Sequence, residues 1–376
     1  AVAIGSSAGQ TSQGTLSVAI GRLAGNDTQG TQATAVGFLA GQTTQGASSV
    51  AVGLQAGNNT QGASAVAVGV HAGQTLQGVN ATAVGIDTGT TSQGTNATAV
   101  GGGAGYNTQG GNSVAVGYQA GVNTQGINSV AVGYSAGYDS QGDNSVAIGN
   151  TAGNDTQGVL AIAIGVQAGA TTQGLRAVAI GSGAGLTSQG ERGISIGSGA
   201  GATSQGLQSV AIGQSAGTTT QGTYAIGMGT NSGSSAQGAQ SIAIGRSAGT
   251  TSQGTNSVAL GFRAGETSQG GTSVAVGYLA GQTNQHANSI VISAAGVTAA
   301  SNAVGDIYFT STGGFMRMAG ATGNWTSSGT TGNVSDIRLK ENINPITDAL
   351  SKVNTLNGIT FSYKENGTVA TGLIAQ

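Results

Sequence analysis

The sequence is poor in the residues that usually cross-link or stiffen a chain. It has no cysteine and a single proline, Pro345, among 376 residues. The missing cysteines exclude a disulfide framework and any metal site built on thiolates. Collagen is excluded too, because the 72 glycines are accompanied by almost no proline.

Charged residues are also scarce. They make up 6% of the chain, the formal net charge is −2, and no lysine occurs before Lys340. So little positive charge gives no electrostatic basis for binding nucleic acid or an anionic membrane. No apolar run reaches membrane-spanning length, so we expect no membrane insertion. The chain starts in mid-pattern without a methionine, which indicates a fragment or a processed product.

One repeated pattern dominates what is present. Residues 113–128, S-V-A-V-G-Y-Q-A-G-V-N-T-Q-G-I-N, define sixteen positions that recur without insertion or deletion from residue 1 to residue 288. This gives eighteen copies, and a nineteenth begins at Ser289 before the pattern breaks down. A short fixed period is typical of a solenoid, in which each copy forms one coil of a stack.

The columns of the repeat predict the parts of a coil. Positions two to four alternate aliphatic, alanine and aliphatic residues, which predicts a strand, and the later [T/S]-Q-G predicts a second strand or arc. Glycine fills positions five and nine in every copy, and position fourteen in all but the one with His286, which predicts corners. Glutamine fills position thirteen throughout and predicts a ladder of amide hydrogen bonds with a spacing of about 4.8 Å.

Such a coil is thin. We expect each coil to bury its two large aliphatic side chains, and neighbouring chains to associate through the face lined by alanine. Because so few large side chains accompany sixteen ordered residues, a single roll is not expected to be stable alone. Eighteen coils predict an oligomeric roll about 85 Å long.

The motif S-V-A-[I/V]-G followed by x-x-A-G resembles the head repeats of trimeric autotransporter adhesins of the YadA type, and similar repeats occur in phage tail fibres. The resemblance covers residues 1–288, although the family's usual period is slightly shorter than sixteen. It implies an all-β fold, a left-handed parallel β-roll (a β-solenoid), that assembles as a homotrimer.

Beyond the roll the sequence changes twice. Residues 289–335 keep β character at 307–310 and 315–318 but lose the period, which predicts a β transition that caps the stack, followed by a linker. Residues 336–376 predict a small, incomplete α+β segment. Its helix would have Asn344 as N-cap and Pro345 as first residue, with strands near 359–363 and 369–376 forming a hairpin.

The junction between these parts, S-D-I-R-L-K-E-N-I at residues 335–343, resembles the start of the S74-type intramolecular chaperone of phage tail spikes and fibres. In that family the domain trimerises the fibre and then cleaves itself off between the serine and the aspartate. The resemblance implies that Ser335 is the reactive hydroxyl, Asp336 the new N-terminus, and Lys340 a base or charge stabiliser. The family domain is longer, so further catalytic groups are expected beyond Gln376. The alternative is that the charged residues of this motif have no catalytic role and are simply exposed to solvent where a helix begins.

Tyrosines on the roll are candidates for glycan contact. Tyr118 and Tyr134 occupy one column of adjacent coils, and Tyr106 and Tyr138 occupy a second column nearby. Exposed rings on a polar surface are suited to stacking against a sugar, although exposed tyrosine is also commonplace. More generally, we expect receptor contacts on the variable positions six, seven, ten and eleven.

Asp139 and Asp155 share a column as well, which places them about 4.8 Å apart, near the separation of a retaining glycosidase pair. The pattern implies no cleft around them, so the exposed-carboxylate interpretation is preferred.

Together these features predict a phage tail fibre, carried on the virion, whose partners are a surface glycan or other bacterial receptor and further tail or baseplate proteins. One alternative is a trimeric adhesin on a bacterial surface. Another is a glycan-degrading tailspike, which would need acidic residues clustered in a groove, whereas those of the roll are scattered. We expect no enzymatic activity beyond one self-cleavage at residues 335–336, and no cofactor or metal.

Overall fold

The chain divides into two compact units, Ala1–Ser328 and Gly329–Gln376. The computed structural model describes residues 1–294, 303–312, 314–320, 325–328, 347–354, 358–362 and 369–373. The first unit contains the repeats, and each of its coils is built on a strand at positions two to four of the pattern. We call this the long strand.

The long strands lie at Val2–Ile4, Val18–Ile20, Thr34–Val36, Val50–Val52, Val66–Val68, Thr82–Val84, Thr98–Val100, Val114–Val116, Val130–Val132, Val146–Ile148, Ile162–Ile164, Val178–Ile180, Ile194–Ile196, Val210–Ile212, Ile226–Met228, Ile242–Ile244, Val258–Leu260, Val274–Gly277 and Ile290–Ser293. A second strand, the short strand, occupies positions twelve and thirteen in most coils. The short strands lie at Ser12–Gln13, Thr28–Gln29, Thr44–Gln45, Thr60–Gln61, Leu76–Gln77, Ser92–Gln93, Thr108–Gln109, Thr124–Gln125, Ser140–Gln141, Thr156–Gln157, Thr172–Gln173, Ser204–Gln205, Thr220–Gln221, Ser235–Gln237 and Thr251–Gln253.

Equivalent strands of successive coils pair in parallel, always with a sixteen-residue offset. Ala115 lies opposite Ala131 in the long-strand sheet, and Gln125 lies opposite Gln141 in the short-strand sheet. The hydrogen bonds are regular: the N–H of Val114, for example, donates to the carbonyl of Ser129 in the next coil at 2.9 Å. The predicted all-β parallel solenoid is therefore confirmed.

Small and amide side chains, rather than aliphatic ones, fill the interior of the coil. Ala115 and Ala120 are 0% exposed and Gln125 is 1% exposed. Position four points the other way, and Ile148 and Ile164 are 38% and 37% exposed in the single chain. The expectation that aliphatic residues are buried and alanine forms the outer face was wrong. Side chains alternate along a strand, so alanine turned inward places positions two and four outward.

The glutamine column ties the two strands of a coil together. The amide Nε2 of Gln125 donates to the carbonyl of Val114, on the long strand of the same coil, at 2.7 Å. Ladder bonds between coils also occur, as from Gln77 Nε2 to Gln93 Oε1 at 3.1 Å. The predicted ladder is confirmed at such rungs, and it is interrupted elsewhere, since Gln125 Oε1 has no protein partner.

The glycine corners are confirmed. Gly117 has a φ of +129°, and a Cβ placed there would lie 2.5 Å from the carbonyl oxygen of Gly133 in the next coil. Other corners use residues with side chains in the left-handed region, such as Gln119 at φ +55° and Asn128 at φ +54°. Asparagine recurs at position sixteen because it tolerates that conformation better than most residues.

The stack ends in a change of strand direction. The strand Ile307–Ser311 pairs in parallel with Ile290–Ser293, and Gly314–Met318 and Trp325–Ser328 then follow as antiparallel strands. At this end the carboxylate of Asp306, which is 0% exposed, accepts hydrogen bonds from the Arg317 guanidinium at 2.9 and 3.2 Å. It also accepts the backbone N–H groups of Ala303 at 3.0 Å and Gly320 at 3.1 Å.

These contacts set the protonation of Asp306. Burial raises the pKa of its carboxyl, but the N–H of Gly320, the Arg317 guanidinium and the N–H of Ala303 together hold that pKa below its ordinary value. The carboxylate is therefore ionised in the folded chain at neutral pH and anchors the three segments that surround it.

The second unit contains the helix Ala349–Asn354 and an antiparallel pair, Gly358–Ser362 with Val369–Leu373. The predicted hairpin strands are confirmed. The sequence predicts a helix from Pro345 onward; within the described residues a helix spans Ala349–Asn354, and Asp348 before it has a φ of +53°, which is not helical. The predicted N-cap Asn344, Pro345 itself and the turn at Asn366 lie outside the described residues.

We predict that Gly117→Ala opens the roll locally. An alanine there combines a φ of +129° with a contact to the next coil that the backbone must relieve, so the local free energy of opening should fall by about 2 kcal/mol or more. Gly111→Ala is the matched control, because its Cβ would meet nothing closer than 3.4 Å. Hydrogen exchange of the adjacent coils measures the difference, and equal protection in both variants would contradict this account.

A second prediction concerns acid. Because the pKa of Asp306 is lowered in the folded state, its stabilising contribution is complete above the unfolded value of about 3.9 and is lost as the pH falls through the folded pKa. Asp306→Asn should remove this pH dependence. It should destabilise the end of the stack at pH 7 by about 3 kcal/mol, since it leaves Arg317 without its counterion.

Urea unfolding of the wild type and Asp306→Asn between pH 2 and pH 7 measures both effects. Asp27→Asn, at a partly exposed carboxyl on the roll, is the control. A pH dependence retained in Asp306→Asn would show that another group is responsible.

Candidate functional site: a tyrosine-lined pocket

A concave feature of the roll lies where several tyrosines surround a pair of glycines. A pocket of ≈ 470 Å³ spans four coils, and it is lined by Ile86, Asp87, Gly102, Gly103, Tyr106, Asn107, Tyr118, Gln119, Val122, Asn123 and Tyr138. Positions six and seven supply one side of this pocket, and positions ten and eleven supply the other. This volume falls in the range of small-molecule sites.

Part of the pocket lining is apolar or aromatic. Val122 is 7% exposed, and it belongs to the same column as Tyr106 in the preceding coil and Tyr138 in the following coil. Tyr118 is 54% exposed and stacks on Tyr134, with the ring centroids 5.5 Å apart and the planes inclined by 21°. Three of the four tyrosines predicted for glycan contact therefore line one pocket, and the fourth supports Tyr118 from outside.

Polar groups at the rim are held by bonds between coils. Nδ1 of His71 lies 2.8 Å from Oδ1 of Asp87, in the adjacent coil of the same column. On the opposite side, Asn107 Nδ2 donates to Asn123 Oδ1 at 2.8 Å, and Asn123 Nδ2 donates to Asp139. These bonds orient a carboxylate and two amides beside the aromatic walls.

The carboxylate pair predicted from the sequence has a different environment. Asp139 ends the amide column just described, and Asp155 is exposed in the next coil. Neither residue lines the pocket. No group of three or more His, Cys, Asp or Glu side chains among the described residues could hold a metal ion. The lining places aromatic rings, side-chain amides and one carboxylate, Asp87, where they can contact a ligand.

A second aromatic row serves as a comparison within the same roll. The Arg246 guanidinium lies 4.6 Å from the ring centroid of Phe262, whose ring stacks on Tyr278 at 5.2 Å. These residues also occupy position six of consecutive coils, but side chains fill every coil of the row. In the pocket, by contrast, Gly102 and Gly103 leave a gap between the side chains of the neighbouring coils, which we call the notch. The row at Phe262 has aromatic faces but no such notch.

Sequence reasoning named none of the eight non-aromatic residues that line the pocket, namely Ile86, Asp87, Gly102, Gly103, Asn107, Gln119, Val122 and Asn123. A signal was available, because only this copy of the repeat has glycine at both position six and position seven. The candidates for self-cleavage, Ser335, Asp336 and Lys340, lie outside the described residues.

Comparison with protein families matches both parts of the chain. Residues 109–136, 140–152, 157–184, 188–216 and 236–264 match the YadA head domain repeat. Residues 335–376 match the peptidase S74 family, the chaperone of endosialidase. The chain thus contains repeats similar to those of the YadA head and, after them, a segment similar to the S74 chaperone. Neither curated proteins nor solved structures gave a significant match.

Proposed function

We propose that the chain is the shaft of a trimeric phage tail fibre that attaches to a bacterial surface and is assembled by its S74-type segment. The observation that carries this proposal is the combination of the two family matches, repeats that build a surface fibre and a terminal chaperone. Within the described residues, no helix has the length and apolarity to cross a bilayer.

The outward aliphatic columns support the trimeric state. Position four is at least 36% exposed in many coils of the single chain, for example at Ile20, Ile148, Met228 and Leu260. Repeated along the stack, these side chains and those of position two form one continuous strip, which we call the aliphatic strip. A continuous exposed apolar surface of this kind marks a protein interface. The occupant that fits a strip repeated every sixteen residues is a second copy of the same chain in the same orientation.

Assembly then needs a device outside the repeats. Identical coils can pair one step out of register at little enthalpic cost, so the roll alone does not specify which coils meet. A segment that trimerises first would set the register before the roll closes, and long-range pairing that starts wrongly is slow to correct. The S74-type segment is the part of the chain suited to this role, because it is not repetitive.

The bacterial adhesin is the second candidate, and the match to YadA head repeats favours it equally. The S74-type segment favours the phage fibre, because in the family it resembles this chaperone belongs to tail spikes and fibres. A glycan-degrading tailspike has less support, since Asp87 is the one carboxylate among the residues that line this pocket, whereas glycoside hydrolysis ordinarily uses a pair of carboxylates.

We predict that Ile148→Asp with Ile164→Asp prevents trimer formation. Each substitution would bury an unpaired carboxylate in the interface, and threefold symmetry multiplies the penalty. Sedimentation should give the wild type a mass three times the 35.8 kDa of the chain, and the double variant a smaller species or an aggregate.

The control for this experiment is Asn150→Asp with Val166→Asp, which adds the same charges to the same coils at position six. The control should remain trimeric. A trimeric Ile148→Asp, Ile164→Asp variant would show that the aliphatic strip is not the interface.

A further prediction concerns the terminal segment in the full-length protein. Ser335→Ala should trimerise yet stay uncut, whereas Ser327→Ala, the control, should be cut normally between residues 335 and 336.

Deletion from Asp336 onward should give aggregated or misregistered product. Electrophoresis, N-terminal sequencing and sedimentation measure these outcomes. Normal cutting of Ser335→Ala would contradict the assigned chemistry, and well-registered trimers from the deletion would contradict the chaperone role.

A further inference from the structure

The fold of the roll does not require glycine at Gly102 or Gly103, the two residues that form the notch. A Cβ on Gly102 would make ordinary contacts, 3.4 Å to Tyr118 and 3.5 Å to Ile86, and Gly102 has no left-handed φ. A Cβ on Gly103 would meet only the Gln119 side chain, at 3.5 Å. Elsewhere position seven carries Gln55 or Gln167 at nearly the same φ. The roll would therefore accept side chains at both sites, and their absence leaves a gap in the surface.

Ile86 and Tyr118 occupy the same column as Gly102, one coil before it and one coil after it, so their backbones stand about 9.6 Å apart, twice the strand spacing. Both side chains lie over the place that a Gly102 side chain would take, since a Cβ there would be 3.4 Å from Tyr118 and 3.5 Å from Ile86. Tyr106 and Tyr138 are separated in the same way across Val122. The pocket thus presents apolar walls on both sides of a slot, and its floor is closed by the buried Val122.

The polar lining selects among flat ligands. Asp87, Asn107, Gln119 and Asn123 provide carboxylate and amide groups that can accept and donate hydrogen bonds, and no lysine or arginine lines the pocket. A phosphate or an acidic sugar would meet Asp87 with no compensating cation. A nucleic acid strand would lack the positive groove that such binding requires. An uncharged ring with hydroxyl groups at its edge and C–H groups on its face satisfies both parts of the lining.

We propose that this pocket, the notch between Ile86 and Tyr118 floored by Val122, binds one neutral hexose or N-acetylhexosamine unit of a surface glycan. The ring stacks on Tyr118, which Tyr134 holds in place, and its hydroxyl groups bond to Asp87 and Asn107. The proposal rests on the attachment function proposed above and assigns that function to one pocket of one roll. The aromatic row at Phe262 and Tyr278 has no notch and does not bind the sugar.

The test uses the full-length protein and an array of immobilised neutral oligosaccharides built from hexose and N-acetylhexosamine units, with sialylated oligosaccharides as the acidic arm. Gly102→Val fills the notch with a side chain that position six already carries at Val70 and Val166. Ser198→Val is the matched control, since it adds the same side chain at position six of another coil. Tyr138→Ala is a second variant that removes a wall without filling the slot.

The wild type and Ser198→Val should bind at least one neutral oligosaccharide, and Gly102→Val and Tyr138→Ala should bind it at least tenfold more weakly. Binding by Gly102→Val equal to that of the wild type would overturn the proposal. So would binding confined to the sialylated arm, or the absence of binding by the wild type.

Adsorption to bacterial cells separates this proposal from the attachment function. If the wild type and Gly102→Val adsorb equally, attachment stands and the pocket assignment fails. If the wild type adsorbs to no cells but binds the array through the notch, the sugar site stands and the attachment function fails.

Discussion

Between the two strands of each coil there is room for alanine methyl groups and one glutamine side chain. Gly121 shows how tight this space is, because a Cβ placed there would lie 2.9 Å from Oε1 of Gln125. A leucine or isoleucine cannot be accommodated inside, so the large aliphatic residues face outward. The same narrowness allows the Gln125 side-chain amide to reach across the coil. Its hydrogen bond to the Val114 carbonyl is the main polar link between the two strands. An interior without large apolar groups gains little from the hydrophobic effect, and this favours the association through the outer surface that we propose.

Much of this fold could be predicted from the sequence because the repeat displays its constraints in columns. Gly117 and the equivalent glycines predicted the corners, and the alternation at positions two to four predicted a parallel strand. The direction in which that strand faces could not be read in the same way. Alternation shows that two faces differ, but it does not say which one is inside, and the usual preference for buried aliphatic residues gave the wrong answer. Only the width of the coil, set by the corners, decides in favour of Ala115 over Val114 and Val116.

The candidate site shows a similar division. The stacked pair Tyr118 and Tyr134 followed from the sixteen-residue spacing alone, since equal columns lie one strand spacing apart. The notch did not, because an absent side chain is a weaker signal in a sequence than an aromatic one. A uniform scaffold makes such local departures informative: when every coil has the same backbone, a site is formed wherever the variable positions of neighbouring coils complement each other.

The proposed trimer buries the aliphatic strip between chains, although the interior of each chain is closed without it. Met228 is a direct probe of this burial, because it occupies position four and is 38% exposed in the single chain. We would measure its oxidation rate in the native assembly and after dissociation in denaturant, with radical labelling of the exposed Tyr118 as an internal reference. Burial in the interface predicts that Met228 is protected in the assembly and oxidises freely after dissociation, while Tyr118 is labelled in both. Rapid oxidation of Met228 in the intact assembly would contradict the account.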